Sequence, residues 1–121
     1  MTMMSINAAK AFEYGQGVDS AICKGSETAD YFVRDSKNDD SLITETNFSG
    51  GIQGGISNGM PVYFTVTFKP TPTFRKELDA DICDREINLI SSKGRHDPCV
   101  AIRAVSVVKA MCALVLADFM L

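Results

Sequence analysis

"GGIQGGISNGMPVYFTVTFKP", residues 50–70, carries the clearest secondary-structure signal in the chain. Val62, Phe64, Val66 and Phe68 alternate with Tyr63, Thr65 and Thr67, the period of a half-buried strand rich in β-branched and aromatic residues. Asn58-Gly59 precedes it and signals a two-residue hairpin turn, because both central positions need positive φ. The preceding GGIQGGIS is therefore expected to be the partner strand. Pro61 falls near the turn, where a missing ladder donor costs little. Gly50, Gly51, Gly54, Gly55 and Gly59 lie within ten residues. They fit a tight hairpin, or a strand stripped of side chains so that a planar ligand can lie along its backbone; local sequence leaves both open. The phosphate-loop pattern ending in Gly-Lys-Ser/Thr is absent, and a strand rather than a helix follows the glycines, which argues against a nucleotide or dinucleotide fingerprint.

Upstream, "MSINAAKAFEY" (residues 4–14) alternates weakly, with Ile6, Ala8, Phe12 and Tyr14 on one face of a strand; its alanines also allow a helix. "VDSAICKGS" (residues 18–26) reads as a short helix or a loop. Residues 26–47 carry six acids against Arg34 and Lys37 and read as a solvated connection. Residues 74–92 read as a charged excursion with a short strand near Ile87–Ile90. The last element is a helix from Pro98 to Leu121, with Asp97 as its N-cap and Pro98 as its first residue. Only Arg103, Ser106, Lys109 and Asp118 are polar in it. Its three charges cut the longest apolar run to eight residues, which argues against a membrane span. A helix apolar on nearly every side requires burial on nearly every side. One hairpin and a short helix cannot surround it, so a second layer, a partner subunit or the rest of a larger protein is expected.

The chain has 121 residues, 45% of them hydrophobic and 22% charged, which suits one soluble domain of class α+β: an antiparallel hairpin or sheet layer packed on helices, with a long buried C-terminal helix. A net charge of −3 excludes a broad basic face for nucleic acid. "MTMMSINAAK" lacks the basic region and apolar run of a secretory signal. Cys23, Cys83, Cys99 and Cys112 form no Cys-x-x-Cys pair, and His96 is the one histidine, so no zinc site is expected. Scattered thiols fit a reducing cytoplasm.

Two further stretches bear chemistry. In "KPTPT", Lys69–Thr73, two prolines stiffen an exit from the strand, from which a lysine and two threonine hydroxyls project to suit a phosphate or a carbonyl-rich ring; local sequence alone favours an ordinary proline-rich exit loop. "KGRHDPC", residues 93–99, sets Arg95, His96, Asp97 and Cys99 close together. A catalytic triad is poorly served, since Cys99 would lie in the first helical turn with only His96 as base. An anion site made by Arg95 and the helix N-terminus is physically better.

Taken together, "MMSINAAKAFEYG", "TNFSGGIQGGISNGMPVYFTVTFKPTPT" and "GRHDPCVAIRAVSVVKAMCALVLAD" resemble, in order and nearly in wording, the C-terminal part of chorismate synthases. The resemblance implies a β-α-β sandwich assembled as a homotetramer. It implies an FMN-dependent lyase that converts 5-enolpyruvylshikimate 3-phosphate to chorismate by 1,4-elimination of phosphate and a ring hydrogen, with the flavin reduced. It places Asn7, Ala8, Gly54, Lys69, Pro70, Thr71, Pro72, Thr73 and Arg95 at the cofactor, Arg95 also at the substrate, and Asp97 at the proton on flavin N5. The family's catalytic histidines match no residue here, His96 included. The family pattern has glycine at Ala11, phenylalanine at Val18, proline at Ser106 and glutamate at Lys109; none of these departures removes a matched contact. The resemblance covers roughly the last third of a family member. A chain without the N-terminal segment is expected to bind flavin weakly and not to turn over.

Overall fold

The computed structural model describes residues 2–36, 38–72, 80–82, 85–87, 95 and 97–121, and within them the glycine-rich stretch folds back on itself. Strands β4 (Ile52–Gln53) and β5 (Ile56–Ser57) pair antiparallel, Ile52 opposite Ser57 and Gln53 opposite Ile56. Gly54 and Gly55 form the two-residue turn between them, with φ of 60° and 81°. That is the positive-φ pair a tight hairpin demands. The turn expected at Asn58-Gly59 is therefore at Gly54-Gly55. Asn58 closes the hairpin instead: its amide donates to the Gly51 carbonyl at 3.0 Å, and its Oδ1 accepts from the Met60 amide at 3.0 Å. Both dipeptides meet the φ requirement, and the pairing of Ile52 with Ser57 and Gln53 with Ile56 places the turn at Gly54-Gly55.

The alternating strand is present as β6 (Phe64–Phe68), its exposure alternating as the sequence predicts. Its partner is β1 (Ala9–Tyr14), not the glycine-rich segment. Phe12 of β1 and Phe64 of β6 stack with ring centroids 5.4 Å apart and planes tilted by 39°. Such a pair contributes about 0.5–1.5 kcal/mol beyond its buried area. A short 3-10 helix over Thr2–Ser5 precedes β1, and a second one over Gly17–Ile22 follows it.

The acidic connection contains a hairpin rather than a loop. Strands β2 (Phe32–Asp35) and β3 (Asn38–Thr44) pair antiparallel, Val33 opposite Ile43, with a register shift between Arg34 and Asp35. The acids concealed a short β-branched and aromatic pattern, Phe32-Val33 against Leu42-Ile43-Thr44. Strands β7 (Ala80–Ile82) and β8 (Arg85–Ile87) form a further antiparallel pair, ahead of the strand expected at Ile87–Ile90, most of which lies outside the described residues.

The chain divides into two compact units, Met1–Thr67 and Phe68–Leu121. The second unit ends in helix α1 (Val100–Met120). Its N-cap is Cys99, with extended φ and ψ of −151° and 127° and no side-chain bond. The helix thus begins two residues later than expected, and neither Asp97 nor Pro98 belongs to it. Ala104 is the one buried residue of the helix, so the layer expected to cover it is not supplied by the described residues of this chain. Ile102, Val105, Leu114, Leu116 and Phe119 are all exposed. By length and composition α1 meets the requirement for a membrane span, with a mean hydropathy of 2.1 over its window. Arg103, Lys109 and Asp118 therefore do not by themselves exclude one; a core helix of a soluble protein meets the same requirement.

Candidate functional site

In the first unit, Asn7 and Ala8 occupy the bend that leads into β1. The Ala9 amide donates to the Ile6 carbonyl at 3.1 Å, closing a turn over Ile6–Ala9. Ala8, its third residue, has φ of 69°, the only positive φ outside glycine among the described residues. That is the pattern of a type II turn, whose third position glycine normally fills. The strain at Ala8 is of the order of 1 kcal/mol. Asn7 is exposed beside it. Gly54 is exposed at the hairpin tip, and a Cβ there would meet nothing within 4 Å. Its glycine is explained by φ, with no close approach from the described residues. The tip leaves a bare backbone surface.

The same unit holds a residue that the sequence reading assigned to a solvated run. Asp30 is buried at 9% relative exposure. Its Oδ1 accepts from the Thr46 hydroxyl at 2.6 Å and the Phe48 amide at 2.8 Å, and its Oδ2 accepts from the Ser49 amide at 2.8 Å. Burial opposes its ionisation, but the Thr46 hydroxyl and the Ser49 and Phe48 amides outweigh that and hold the carboxyl at about 2. Asn47 continues the scaffold. Its Oδ1 accepts from the Gly51 amide at 2.7 Å and its Nδ2 donates to the Pro61 carbonyl at 2.9 Å. The turn so fixed borders an open cleft of about 570 Å³, lined among others by Phe12, Tyr14, Gln16, Phe48, Ile52 and Gly54. A side chain 16 to 19 positions away from its partners leaves no periodic signature in the sequence.

In the second unit, the proline-threonine segment and the Arg95–Cys99 segment meet. The Thr71 hydroxyl donates to the Asp97 carbonyl at 3.3 Å. The Asp97 carboxylate faces Arg103 on the first turn of α1: Nε to Oδ2 is 2.8 Å and Nη2 to Oδ1 is 3.2 Å. Asp97 thus pairs with Arg103, while the helix takes Cys99 as its N-cap. Lys69, Pro70 and Pro72 are exposed, as is Arg95. Thr73 and His96 lie outside the described residues. Cys23, Cys99 and Cys112 are free thiols.

In the second unit, Lys69 and Arg95 are exposed cations of the kind that can meet a phosphate group. A family model for chorismate synthase matches residues 1–121, the whole chain. The chain belongs to the chorismate synthase family. It is 53% identical over 119 residues to the chorismate synthase of a Synechococcus species, 51% over 120 residues to that of Christiangramia forsetii, and 50% over 119 residues to that of Flavobacterium psychrophilum. Each alignment takes in 98% of this chain but 32% of the relative, so the chain spans about a third of the length of these chorismate synthases. A solved structure described as a crystal structure of chorismate synthase superposes with a TM-score of 0.54 at 40% identity, over 60% of this chain and 21% of that one. The family match runs through α1 to Leu121.

Proposed function

We propose that this chain supplies the C-terminal part of a chorismate synthase, an FMN-dependent carbon–oxygen lyase that converts 5-enolpyruvylshikimate 3-phosphate to chorismate and phosphate. The observation that carries the reading is the family match over all 121 residues, with relatives near half identity across 98% of the chain. In this reading Asn7, Ala8 and Gly54 offer a turn and a bare hairpin backbone to the flavin. Lys69 to Thr73 wrap it, Arg95 grips cofactor and substrate anions, and the Asp97 carboxylate meets the proton on flavin N5. When bound and reduced, FMN supplies the electron density that helps expel phosphate. Sandwich architecture, tetrameric assembly and a cytoplasmic location complete the proposal. The remaining two thirds of the family length would provide the layer over α1.

Electrostatic catalysis needs a complete preorganised shell. The 121-residue chain alone is therefore assigned weak flavin binding and no turnover. Chorismate formation with reduced FMN, followed anaerobically, is the test; clear turnover by this chain alone would refute the assignment of inactivity. A second reading, a non-catalytic docking module, is favoured by the exposure of α1. Titration with FMN separates the two: saturable flavin binding argues for the first, and self-association without flavin affinity for the second.

A further inference from the structure

We propose that Arg103 is a positioning residue for Asp97, with Thr71 as the second anchor; this rests on the reading of Asp97 as the carboxylate that meets flavin N5. Nothing in the sequence pattern singles out Arg103, which reads there as one of the charges that interrupt an apolar helix. The geometry gives it a specific task. Its Nε and Nη2 engage the two Asp97 oxygens at 2.8 and 3.2 Å, a side-on fork that sets the plane of the carboxylate. Lysine cannot reproduce that fork, because an ammonium has no planar pair of donors. At the other end, the Thr71 hydroxyl holds the Asp97 carbonyl at 3.3 Å, which fixes the main chain to the proline-threonine segment. Pro98 restricts the backbone between Asp97 and α1. Asp97 is thus held by side chain and main chain from two different segments.

The fork leaves Asp97 usable. Each carboxylate oxygen has two acceptor sites, so one per oxygen remains after Arg103 is bound. A ligand N–H can be accepted there. The side chains of Arg103 and Asp97 are 73% and 42% exposed, so the pair adds little to stability and acts by orientation. That exposure also makes Arg103 replaceable without loss of the fold.

The test uses the 121-residue chain, with FMN and dithionite-reduced FMN as probes under anaerobic NMR titration. Arg103→Gln is expected to weaken reduced FMN roughly three- to tenfold, on the scale of coupled neighbouring residues. Oxidised FMN, which has no N5–H, should be weakened much less; a general structural defect would weaken both alike. Asp97→Asn should produce the same selective loss, and the double variant no more than either alone. Arg103→Lys should restore part of the loss. The Arg103 Nε resonance should move on Asp97→Asn without any flavin present. Unchanged reduced-FMN affinity in Arg103→Gln, or additive losses in the double variant, would overturn the positioning role while leaving the flavin reading intact. An unaltered chain that binds neither form of FMN would overturn the flavin reading and the role with it; a resonance that still moves would then mark the pair as structural only.

Discussion

Gly15 and Gly50 meet main chain to main chain. A Cβ built on Gly15 would lie 2.6 Å from the Gly50 nitrogen, and one built on Gly50 would lie 2.7 Å from the Gly15 Cα. Both residues also have positive φ, of 60° and 65°. The contact is closed by the Gln16 amide, which donates to the Phe48 carbonyl at 2.8 Å, and by the Gly15 amide, which donates to the Tyr63 carbonyl at 3.1 Å. This crossing joins the end of β1 to the turn ahead of the glycine-rich hairpin.

Gly50→Ala and Gly15→Ala should therefore each cost roughly 2–3 kcal/mol or abolish folding, since backbone strain and a backbone clash coincide. Gly55→Ala is the control. It shares positive φ, 81°, but its Cβ would meet nothing within 4 Å. It should cost about 1 kcal/mol. Urea unfolding midpoints of the three variants check the ranking, and equal losses would contradict the crossing.

Asp30 predicts a pH dependence. Its carboxyl lies at about 2 in the folded chain against an ordinary value of 3.8. A folded value below the unfolded one gives stability that is fully present above about pH 4 and is lost as pH falls toward 2. Asp30→Asn should flatten the stability profile between pH 4 and 2. Asp30→Ala, which leaves the Thr46, Phe48 and Ser49 donors without their acceptor, should cost about 1–3 kcal/mol at neutral pH. Thermal midpoints across pH 2 to 6 for the three proteins read out both effects.

Ala8 predicts the opposite sign. With φ of 69° it occupies a position that glycine tolerates without steric cost. Ala8→Gly should leave the Ile6–Ala9 turn intact and stabilise the chain by about 0.5 kcal/mol, the relieved strain being partly offset by the greater entropy of an unfolded glycine. A lowered urea midpoint would show that Ala8 is unstrained in solution.

Much of the second half of this unit was legible in the sequence because it is locally encoded. Phe64, Val66 and Phe68 announce a strand by period alone, and the glycines announce a tight turn. Which pair of residues makes that turn was misread, because Gly54-Gly55 and Asn58-Gly59 both satisfy the φ requirement and only pairing across the hairpin decides. Strand β6 was matched to the wrong partner for the same reason: Phe12 stacks on Phe64 from 52 positions away, beyond any local pattern. Asp30 and Arg103 were invisible as individuals. Each lies within a run whose average character, acidic or apolar, conceals one specific contact. The motifs around Asn7, Lys69 and Arg95 were legible only through resemblance to a family, because their chemistry depends on a ligand rather than on the fold.

Helix α1 carries the last prediction. Its apolar side chains face solvent: Leu114 is 64% exposed and Phe119 is 84% exposed. An exposed apolar surface of this extent drives association. The isolated chain should self-associate in a concentration-dependent way and bind a hydrophobic dye. Leu114→Glu and Phe119→Glu should reduce both, with changes in unfolding free energy within about 0.5 kcal/mol, because neither side chain is buried in this chain. Sedimentation velocity and dye fluorescence measure the two effects. A strictly monomeric unaltered chain would show that α1 is covered in solution, and so would variants that unfold outright. Either result would mean that this chain supplies its own layer over the helix.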